Sequence, residues 1–318
     1  MSTQEKVWNP RGLPVVVIVG ATSKWRADGP NTAFVHGQSL PGGDVPPGVR
    51  WGLGGALATR FAQEGNFVVL TSRTAANAAP LVETVRRDGG HCAAVVLDLG
   101  DPASISRAFA EIREGAGDPE VLVYNPGYMA GRELPPEQEL LEHFPPELFE
   151  TALDVACRGP FLVVREVLPA MRERGRGAIF FSNNQYSLRG RKRHTGESLY
   201  YPRTMVRALA QALTEEYSAH GVHVVNVVVD GVIDSPGTRT LPALAGTPNA
   251  LIDPSSIADA FLYLHRQDPS CWTHELQLTA SARPSSSVDG ELTGPRSVSV
   301  PARSLSIRSA HEGISSCP

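Results

Sequence analysis

Short apolar runs alternate along the chain with longer segments in which apolar residues recur at steps of three and four. The short runs are rich in β-branched residues, which is typical of strands buried on both faces. They predict seven strands, at 14–19, 67–71, 93–97, 121–124, 178–181, 222–229 and 275–278. The longer segments predict helices near 52–64, 77–88, 103–114, 147–173, 199–219 and 255–266.

Strands that alternate with helices of this length form parallel sheets, and right-handed crossovers then cover both faces of the sheet. The pattern therefore predicts an α/β fold within residues 1–279. We expect a single Rossmann-type doubly wound parallel sheet of about seven strands with helices on both faces.

Two stretches break this alternation. Residues 24–51 are rich in glycine and proline and lack sustained periodicity, which predicts an irregular surface loop. The last 40 residues contain eleven serines and no aromatic residue. Such a segment buries too little apolar surface to offset its ordering entropy, so residues 280–318 are predicted to be a disordered tail.

The first irregular stretch interrupts a glycine pattern. Gly20 follows the first predicted strand, whereas Gly52 and Gly54 open the next helix. Removing residues 24–51 would restore the spacing G-x-x-x-G-x-G. Glycines at that spacing let the backbone turn sharply against a pyrophosphate, whose charge then lies at a helix N-terminus. The predicted phosphate-binding residues are Gly20, Ser23, Gly52, Leu53 and Gly54.

Charge, cysteine spacing and hydropathy argue against several classes of protein. A net charge of −4 over 318 residues gives no basic excess, so no nucleic acid is expected as a partner. The four cysteines lack C-x-x-C spacing, and we therefore predict neither a metal site nor disulfides. The first ten residues do not resemble a signal peptide, and no apolar segment approaches the ~20 residues that span a bilayer. A soluble, cytoplasmic protein without membrane contact is expected.

Further features occur in the order found in the short-chain dehydrogenase/reductase family, which the chain resembles over residues 13–279 apart from 24–51. These features are Asp98 in Val-Val-Leu-Asp-Leu, Asn125-Pro-Gly, Gly159-Pro-Phe, the serine-containing strand end at 181–187, and Asp230-Gly231 followed by Ile233 and Ser235. The resemblance implies that Asp98 bonds the adenine, that Asn125 lines the ribose side, and that Ile233 and Ser235 meet the nicotinamide amide.

The resemblance also bears on the choice of cofactor. In the family, the residue that faces the adenosine ribose ends the second strand, and here that strand runs into Thr71-Ser72-Arg73. Arg73 offers a cation where an acidic residue would favour NAD, so NADP is favoured over NAD. The alternative is that Arg73 is a solvated residue after a strand, and that Asp98 caps the next turn.

Family members use Ser, Tyr and Lys, with Tyr and Lys four residues apart on a helix. The lysine lowers the tyrosine pKa from about 10, so that the phenol can transfer a proton. Here two alignments conflict. Placing Arg203 at the lysine position puts Leu199 at the tyrosine position, whereas counting 13 residues from Ser187 selects Tyr200 and puts Thr204 at the lysine position.

Pro202 is comfortable only in the first turn of a helix, which predicts a helix start near Ser198 or Leu199. We predict Ser187, Tyr200 and Arg203 as the catalytic set. Ala156 stands where the family often has an asparagine that supports a proton-relay water.

The resemblance therefore implies an NADP-dependent oxidoreductase that acts on a carbonyl/alcohol pair of a small organic molecule. A homodimer or homotetramer through the helices at 147–173 and 199–219 is also implied.

The basic run at 189–194 is either a solvated loop or a segment that attracts an anionic substrate. One rival is a non-catalytic dinucleotide-binding or scaffolding protein.

The interruption at 24–51 leaves two further alternatives. Lengthening the turn from about 4 to about 32 residues costs only about 1.8 kcal/mol in loop closure, but the longer chain could still block the cofactor site and make the protein inactive. Alternatively, 24–51 and the tail are non-coding sequence translated in error, which sequencing the transcript would decide.

Overall fold

The computed structural model describes residues 8–21, 31–32, 39–40, 48–127, 134, 138, 142–188, 202–236, 238–240 and 249–282. Ser23, Tyr200, the basic run at 189–194 and the tail from 283 onward lie outside the described residues.

A parallel seven-stranded sheet forms the centre of the fold and confirms the predicted class. The strands are β1 (Val15–Val19), β2 (Phe67–Ser72), β3 (His91–Val96), β4 (Val121–Tyr124), β5 (Gly177–Asn184), β6 (Val222–Asp230) and β7 (Glu275–Thr279). Their spatial order is β3-β2-β1-β4-β5-β6-β7, and each neighbouring pair is parallel. The order reverses between β1 and β4, which is where ligands bind in such sheets, outside the carboxyl ends of the strands.

Helices cover both faces of this sheet. They are α1 (Gly52–Gln63), α2 (Ala75–Arg87), α3 (Pro102–Gly115), α4 (Pro146–Leu153), α5 (Gly159–Arg174), α6 (Arg203–Tyr217) and α7 (Pro254–His265). Apolar residues of α3, α5 and α6 form one core layer with the sheet, and those of α1, α2 and α7 form the other. Among the described residues, no helix is long and apolar enough to cross a membrane.

The prediction of one continuous helix over 147–173 is wrong. A π-helical turn, Asp154–Arg158, separates α4 from α5, and the Gly159 N–H donates to the Asp154 carbonyl five residues earlier. Pro160 provides the physical reason. Proline has no N–H to continue the regular ladder, and its ring would clash with the carbonyl four residues before it, so the preceding turn widens.

The predicted start of the following helix is also wrong. Helix α6 begins at Arg203, and Pro202 is the residue immediately before it, with φ −60° and ψ −22°. At the N-cap position the missing proline N–H costs no helical hydrogen bond, so Pro202 can precede the helix as readily as it could occupy the first turn.

Residues 24–51 are not wholly an irregular surface loop, contrary to the prediction. Asn31–Thr32 pairs with Ser39–Leu40 in an antiparallel bridge. Val49 and Trp51 are only 6% and 9% exposed, and a Cβ on Gly55 would overlap the Trp51 side chain. The end of this segment is buried, and its Trp51 side chain packs beside α1.

Candidate functional site

The two separated parts of the glycine pattern meet at the end of β1. Gly20 has a φ of +74°, and a Cβ there would lie 2.9 Å from the Pro126 Cα. A Cβ on Gly54 would lie 2.7 Å from the carbonyl oxygen of Ala21. Glycine is therefore required at Gly20 because of its positive φ and its approach to Pro126 after β4. It is required at Gly54 because the start of α1 lies directly against Ala21 at the end of β1.

The N-terminus of α1 faces the carboxyl edge of the sheet with its backbone amides. Gly52 has a φ of +63°, and its N–H donates to the Val49 carbonyl at 3.1 Å. Among the described residues, no side chain caps this helix start. Leu53 is 7% exposed, so its side chain belongs to the core and only its backbone is available to a ligand. Amides in the first turn of a helix, aided by the helix dipole, suit a phosphate group.

Asn125 ties the ends of two adjacent strands together. Its backbone N–H donates to the Val19 carbonyl at 3.0 Å, and its side-chain Nδ2 donates to the Gly20 carbonyl at 3.0 Å. The side chain thus holds the glycine turn in place at the reversal of strand order, which is where a ribose contact was predicted.

The two residues predicted at the adenosine end follow β2 and β3. Arg73 is exposed directly after β2. Asp98 is exposed after β3, and its Oδ1 accepts the Gly100 N–H at 2.9 Å, so one carboxylate oxygen caps the next turn. The second oxygen can still accept from a ligand. Their roles in cofactor binding stay predictions.

Arg203, one of the predicted catalytic residues, contacts the segment that follows β4 at the strand reversal. It is half-buried at the first position of α6, and its Nη2 donates to the Pro126 carbonyl at 3.3 Å. Burial raises the pKa of the neighbouring Tyr124 well above its usual range, and the positive charge of Arg203 partly opposes this rise. A fixed cation is therefore held at the carboxyl end of β4.

Ser187 lies in a short 3-10 turn, Gln185–Leu188, that follows β5 and packs against α6. Its side chain is 1% exposed, and its Oγ donates to the Asn184 carbonyl at 2.7 Å. The hydroxyl proton is thus directed inward. Tyr200 lies outside the described residues, so the structure brings Ser187 and Arg203 to one edge of the sheet without describing the third member.

Tyr124, at the end of β4, was not among the predicted site residues. Its hydroxyl donates to the Val155 carbonyl at 2.5 Å. That carbonyl lies in the π-helical turn and receives no hydrogen bond from the N–H groups of the described helix residues that follow it. The Gly159 N–H donates to the Asp154 carbonyl instead, and Pro160 has no N–H. The phenol therefore supplies the hydrogen bond that the helix does not. A glycine-proline pair inside a predicted helix, opposite a tyrosine at a strand end, is the signal that could have revealed it.

A very small cavity of about 10 Å³ adjoins this bond. It contains Ala156, which is 5% exposed, where the resemblance implied an asparagine. The cavity is lined by Tyr124, Pro126, Val155, Ala156, Ser182, Arg203 and Val206.

Ile233 ends a two-residue strand, Val232–Ile233, that pairs with Leu251–Ile252. Ser235 follows in a loop that Thr238 closes. Thr238 is 3% exposed, and its Oγ1 donates to the Ile233 carbonyl at 2.7 Å and accepts the Ser235 N–H at 2.8 Å. Asp234 and Arg239 form a two-pronged ion pair beside it, with both bonds at 2.7 Å. The segment after β6 is thus internally fixed, and the two predicted nicotinamide contacts lie within it.

Comparison with known proteins identifies the family to which the chain belongs. The sequence profile of the short chain dehydrogenase family matches residues 47–243. The chain belongs to the short-chain dehydrogenase family. This profile match begins near the end of the irregular segment, so β1 lies outside it.

Curated relatives of this short-chain dehydrogenase include the 2-(R)-hydroxypropyl-CoM dehydrogenase of Xanthobacter autotrophicus. It is 30% identical over 238 residues, which cover 70% of this chain and 91% of that protein. The uncharacterized oxidoreductase YxbG of Bacillus subtilis is 28% identical over 204 residues, covering 64% of this chain and 70% of that protein.

Solved structures show the same fold. A metagenomic short-chain oxidoreductase in complex with NADP has a TM-score of 0.62 at 22% identity and covers 85% of this chain and 98% of its own. A short-chain dehydrogenase/reductase from Burkholderia xenovorans has a TM-score of 0.63 at 24% identity. The match covers 83% of this chain and 94% of that protein. Members of the short-chain dehydrogenase family are oxidoreductases that bind a nicotinamide dinucleotide and act on small molecules.

Proposed function

We propose that the chain is an NADP-dependent oxidoreductase that moves hydride between nicotinamide and a carbonyl or alcohol carbon of a small organic substrate. One observation carries the proposal. The contact between Gly54 and Ala21 rebuilds the glycine turn at the strand reversal, and Arg203 is anchored to Pro126 at the same edge. A glycine turn whose backbone suits a phosphate and a fixed cation thus lie at the same edge of the sheet, which supports the proposal.

The residues present fit a dinucleotide. The backbone of Gly20, Ser23, Gly52, Leu53 and Gly54 would hold the pyrophosphate, Arg73 the 2′-phosphate and Asp98 the adenine. Asn125, Ile233 and Ser235 would face the nicotinamide half. The cofactor, when bound, supplies or takes up the hydride.

Residues 24–51 are proposed to be an insert within the glycine turn that leaves the phosphate site usable. Two contacts support this. Gly54 still abuts Ala21, and the returning limb of the segment is anchored by the buried Val49 and Trp51. The helix start therefore meets the strand end despite the added chain.

Tyr200 is proposed to transfer the proton that accompanies hydride transfer, and Ser187 to contact the substrate oxygen. Arg203 would stabilise the ionised phenol and bond the ribose. An arginine serves this role as a planar fork, and here one arm of that fork is already held by the Pro126 carbonyl. It offers a fixed charge in place of a mobile ammonium.

Cofactor titration tests the binding part of this proposal. We expect NADPH to enhance its fluorescence on binding and to bind more tightly than NADH. Arg73→Ala should weaken NADPH binding by roughly 10- to 100-fold, the loss expected for a charge-assisted hydrogen bond, and should leave NADH unchanged. Arg87→Ala, on the exposed end of α2, is the matched control. Equal loss for both cofactors would refute the assignment of Arg73.

Turnover on a panel of carbonyl substrates tests the catalytic part. Tyr200→Phe should abolish turnover while keeping NADPH affinity, and Tyr201→Phe is the neighbouring control. A non-catalytic dinucleotide-binding protein is the second candidate, because the Ser187 hydroxyl donates to Asn184 inside the fold. Tight NADPH binding without turnover, unchanged by Tyr200→Phe, would favour that candidate.

A homodimer or homotetramer through the outer faces of α5 and α6 belongs to the same proposal. Phe161 on α5 and Met205 on α6 are 49% and 48% exposed. Large apolar side chains in such positions suit a helix-to-helix interface. Sedimentation velocity of Phe161→Glu against the unaltered protein tests this interface.

A cytoplasmic location stays a prediction from the sequence.

A further inference from the structure

Two asparagines are buried on adjacent strands of the parallel sheet. Asn226 on β6 is 2% exposed and Asn183 on β5 is 3% exposed. Strands covered on both faces are normally apolar, and an amide buried there is costly unless it is hydrogen-bonded. Their presence therefore calls for partners.

The partners form a continuous path from β7 to α6. Asn226 donates through Nδ2 to Glu275 Oε2 at 2.9 Å, and its Oδ1 accepts from Asn183 Nδ2 at 3.1 Å. Asn183 Nδ2 also donates to the carbonyl of Arg203 at 3.4 Å. The path crosses three adjacent strands and ends on the first residue of α6.

The same helix is held again one turn later. Arg207 donates from Nε to Glu275 Oε2 at 2.6 Å and from Nη2 to Oε1 at 3.0 Å. Glu275 thus fixes α6 twice, directly through Arg207 and indirectly through the two asparagines. This doubled attachment restrains both the rotation and the position of the helix start.

Each amide in the path has only one usable orientation. A carboxylate only accepts, so Asn226 must present its NH₂ group to Glu275 and its oxygen to Asn183. Asn183 must then donate to Asn226, while its own Oδ1 accepts the Asn184 N–H at 3.0 Å. Neither amide can be reversed without breaking bonds at both ends.

We propose that Asn183, Asn226, Glu275 and Arg207 are positioning residues that set the first turn of α6 and, through it, the placement of Arg203. This inference rests on the proposed role of Arg203 in the site. It adds residues that lie in the sheet and on α6 beyond the site itself, and it explains why polar side chains interrupt two apolar strands.

A double-mutant cycle tests the coupling. Asn226→Leu keeps the side-chain size and cuts the path, and Arg203→Ala removes the residue being placed. We expect Asn226→Leu to lower kcat about tenfold with little change in KM, the order expected when a reacting group is slightly misplaced. In the Arg203→Ala background the same substitution should change kcat less than twofold, although the melting temperature should fall equally in both backgrounds.

Asn66→Leu is the matched control. Asn66 is 7% exposed and donates to the Phe61 carbonyl at 2.9 Å, at the end of α1 and away from α6. Its loss should lower the melting temperature and affect kcat equally with or without Arg203. An effect of Asn226→Leu that is the same in both backgrounds would overturn the proposal.

Hydrogen exchange on the unliganded protein separates this inference from the proposed function. Asn226→Leu and Glu275→Leu should each speed exchange of the amides in the first two turns of α6 by roughly fivefold, the effect of losing one hydrogen bond. Asn66→Leu should leave these amides unchanged. If turnover is absent but exchange responds this way, the proposed function fails and the positioning path stands. Unchanged exchange in both variants refutes the path.

Discussion

The hydrogen bond from Tyr124 to Val155 gives a prediction whose size follows from the structure. Tyr124→Phe removes one hydroxyl and leaves the Val155 carbonyl inside the protein with neither helix donor nor phenol. An acceptor stranded in this way costs about 1–3 kcal/mol. A domain of this size loses roughly 2–4 °C in melting temperature per kcal/mol, so we expect a fall of roughly 2–12 °C near neutral pH.

The pH dependence of this difference can be worked out from the tyrosine pKa. Burial raises the pKa of Tyr124 in the folded state, so the folded protein holds this proton more tightly than the unfolded chain. The stabilisation is complete below the unfolded pKa of about 10 and is lost as the pH rises above it, toward the folded value. The stability gap between the unaltered protein and Tyr124→Phe should therefore be widest near pH 7 and should narrow above pH 10.

Urea unfolding followed by circular dichroism at pH 7.5 and pH 10.5 measures both quantities. Tyr263→Phe is the control, because Tyr263 is 65% exposed on α7 and should show no gap at either pH. Equal stability of Tyr124→Phe and the unaltered protein at pH 7.5 would refute the view that the phenol completes the π-helical turn. A gap that widens above pH 10 would refute the pH argument.

Three further predictions concern the glycine turn, the buried end of the irregular segment and the edge of the sheet. Gly54→Ala should abolish NADPH binding and lower the melting temperature, because the added Cβ would lie 2.7 Å from the Ala21 carbonyl oxygen. The control Ala56→Ser, on the same helix, should leave both NADPH binding and the melting temperature unchanged. Trp51→Ala should lower the free energy of unfolding by about 3 kcal/mol in urea titrations, because the Trp51 side chain is only 9% exposed. A loss below about 1 kcal/mol would show that the end of the 24–51 segment is not part of the core. The hydrogen bond from Arg207 lowers the pKa of Glu275, so stability from this pair is present above the unfolded pKa and is lost as the pH falls through the folded value. Glu275→Gln should flatten the stability profile below pH 5, and an unchanged acid limb would contradict that assignment.

The strands were predictable because their composition reflects a single physical requirement. Runs such as 15–19 and 222–229 are buried on both faces, so β-branched residues mark them without help from distant contacts. The strand-end extension of β5 through Asn183 and Asn184 was not predictable in this way. Both residues are polar, and Asn183 is acceptable in a strand because of its partners on β6 and α6.

The irregularities of the helices depend on interactions that a periodic pattern does not record. The apolar spacing continues through Asp154–Arg158 because the same faces remain buried, so the spacing alone predicts a regular helix. The missing N–H of Pro160 was visible in the sequence. Its consequence depends on Tyr124, which lies 31 residues before its partner Val155 and is adjacent to it only in the fold.

The contact between Gly54 and Ala21 has a consequence for engineering. The chain departs after β1 and returns at α1 beside its point of departure, so the two ends of the intervening segment are fixed by the sheet and by Trp51. We therefore expect the helix to stay against the strand when the intervening segment is exchanged for a different sequence or for a folded module. A binding or reporter domain could then be joined at this junction, directly beside the proposed phosphate site.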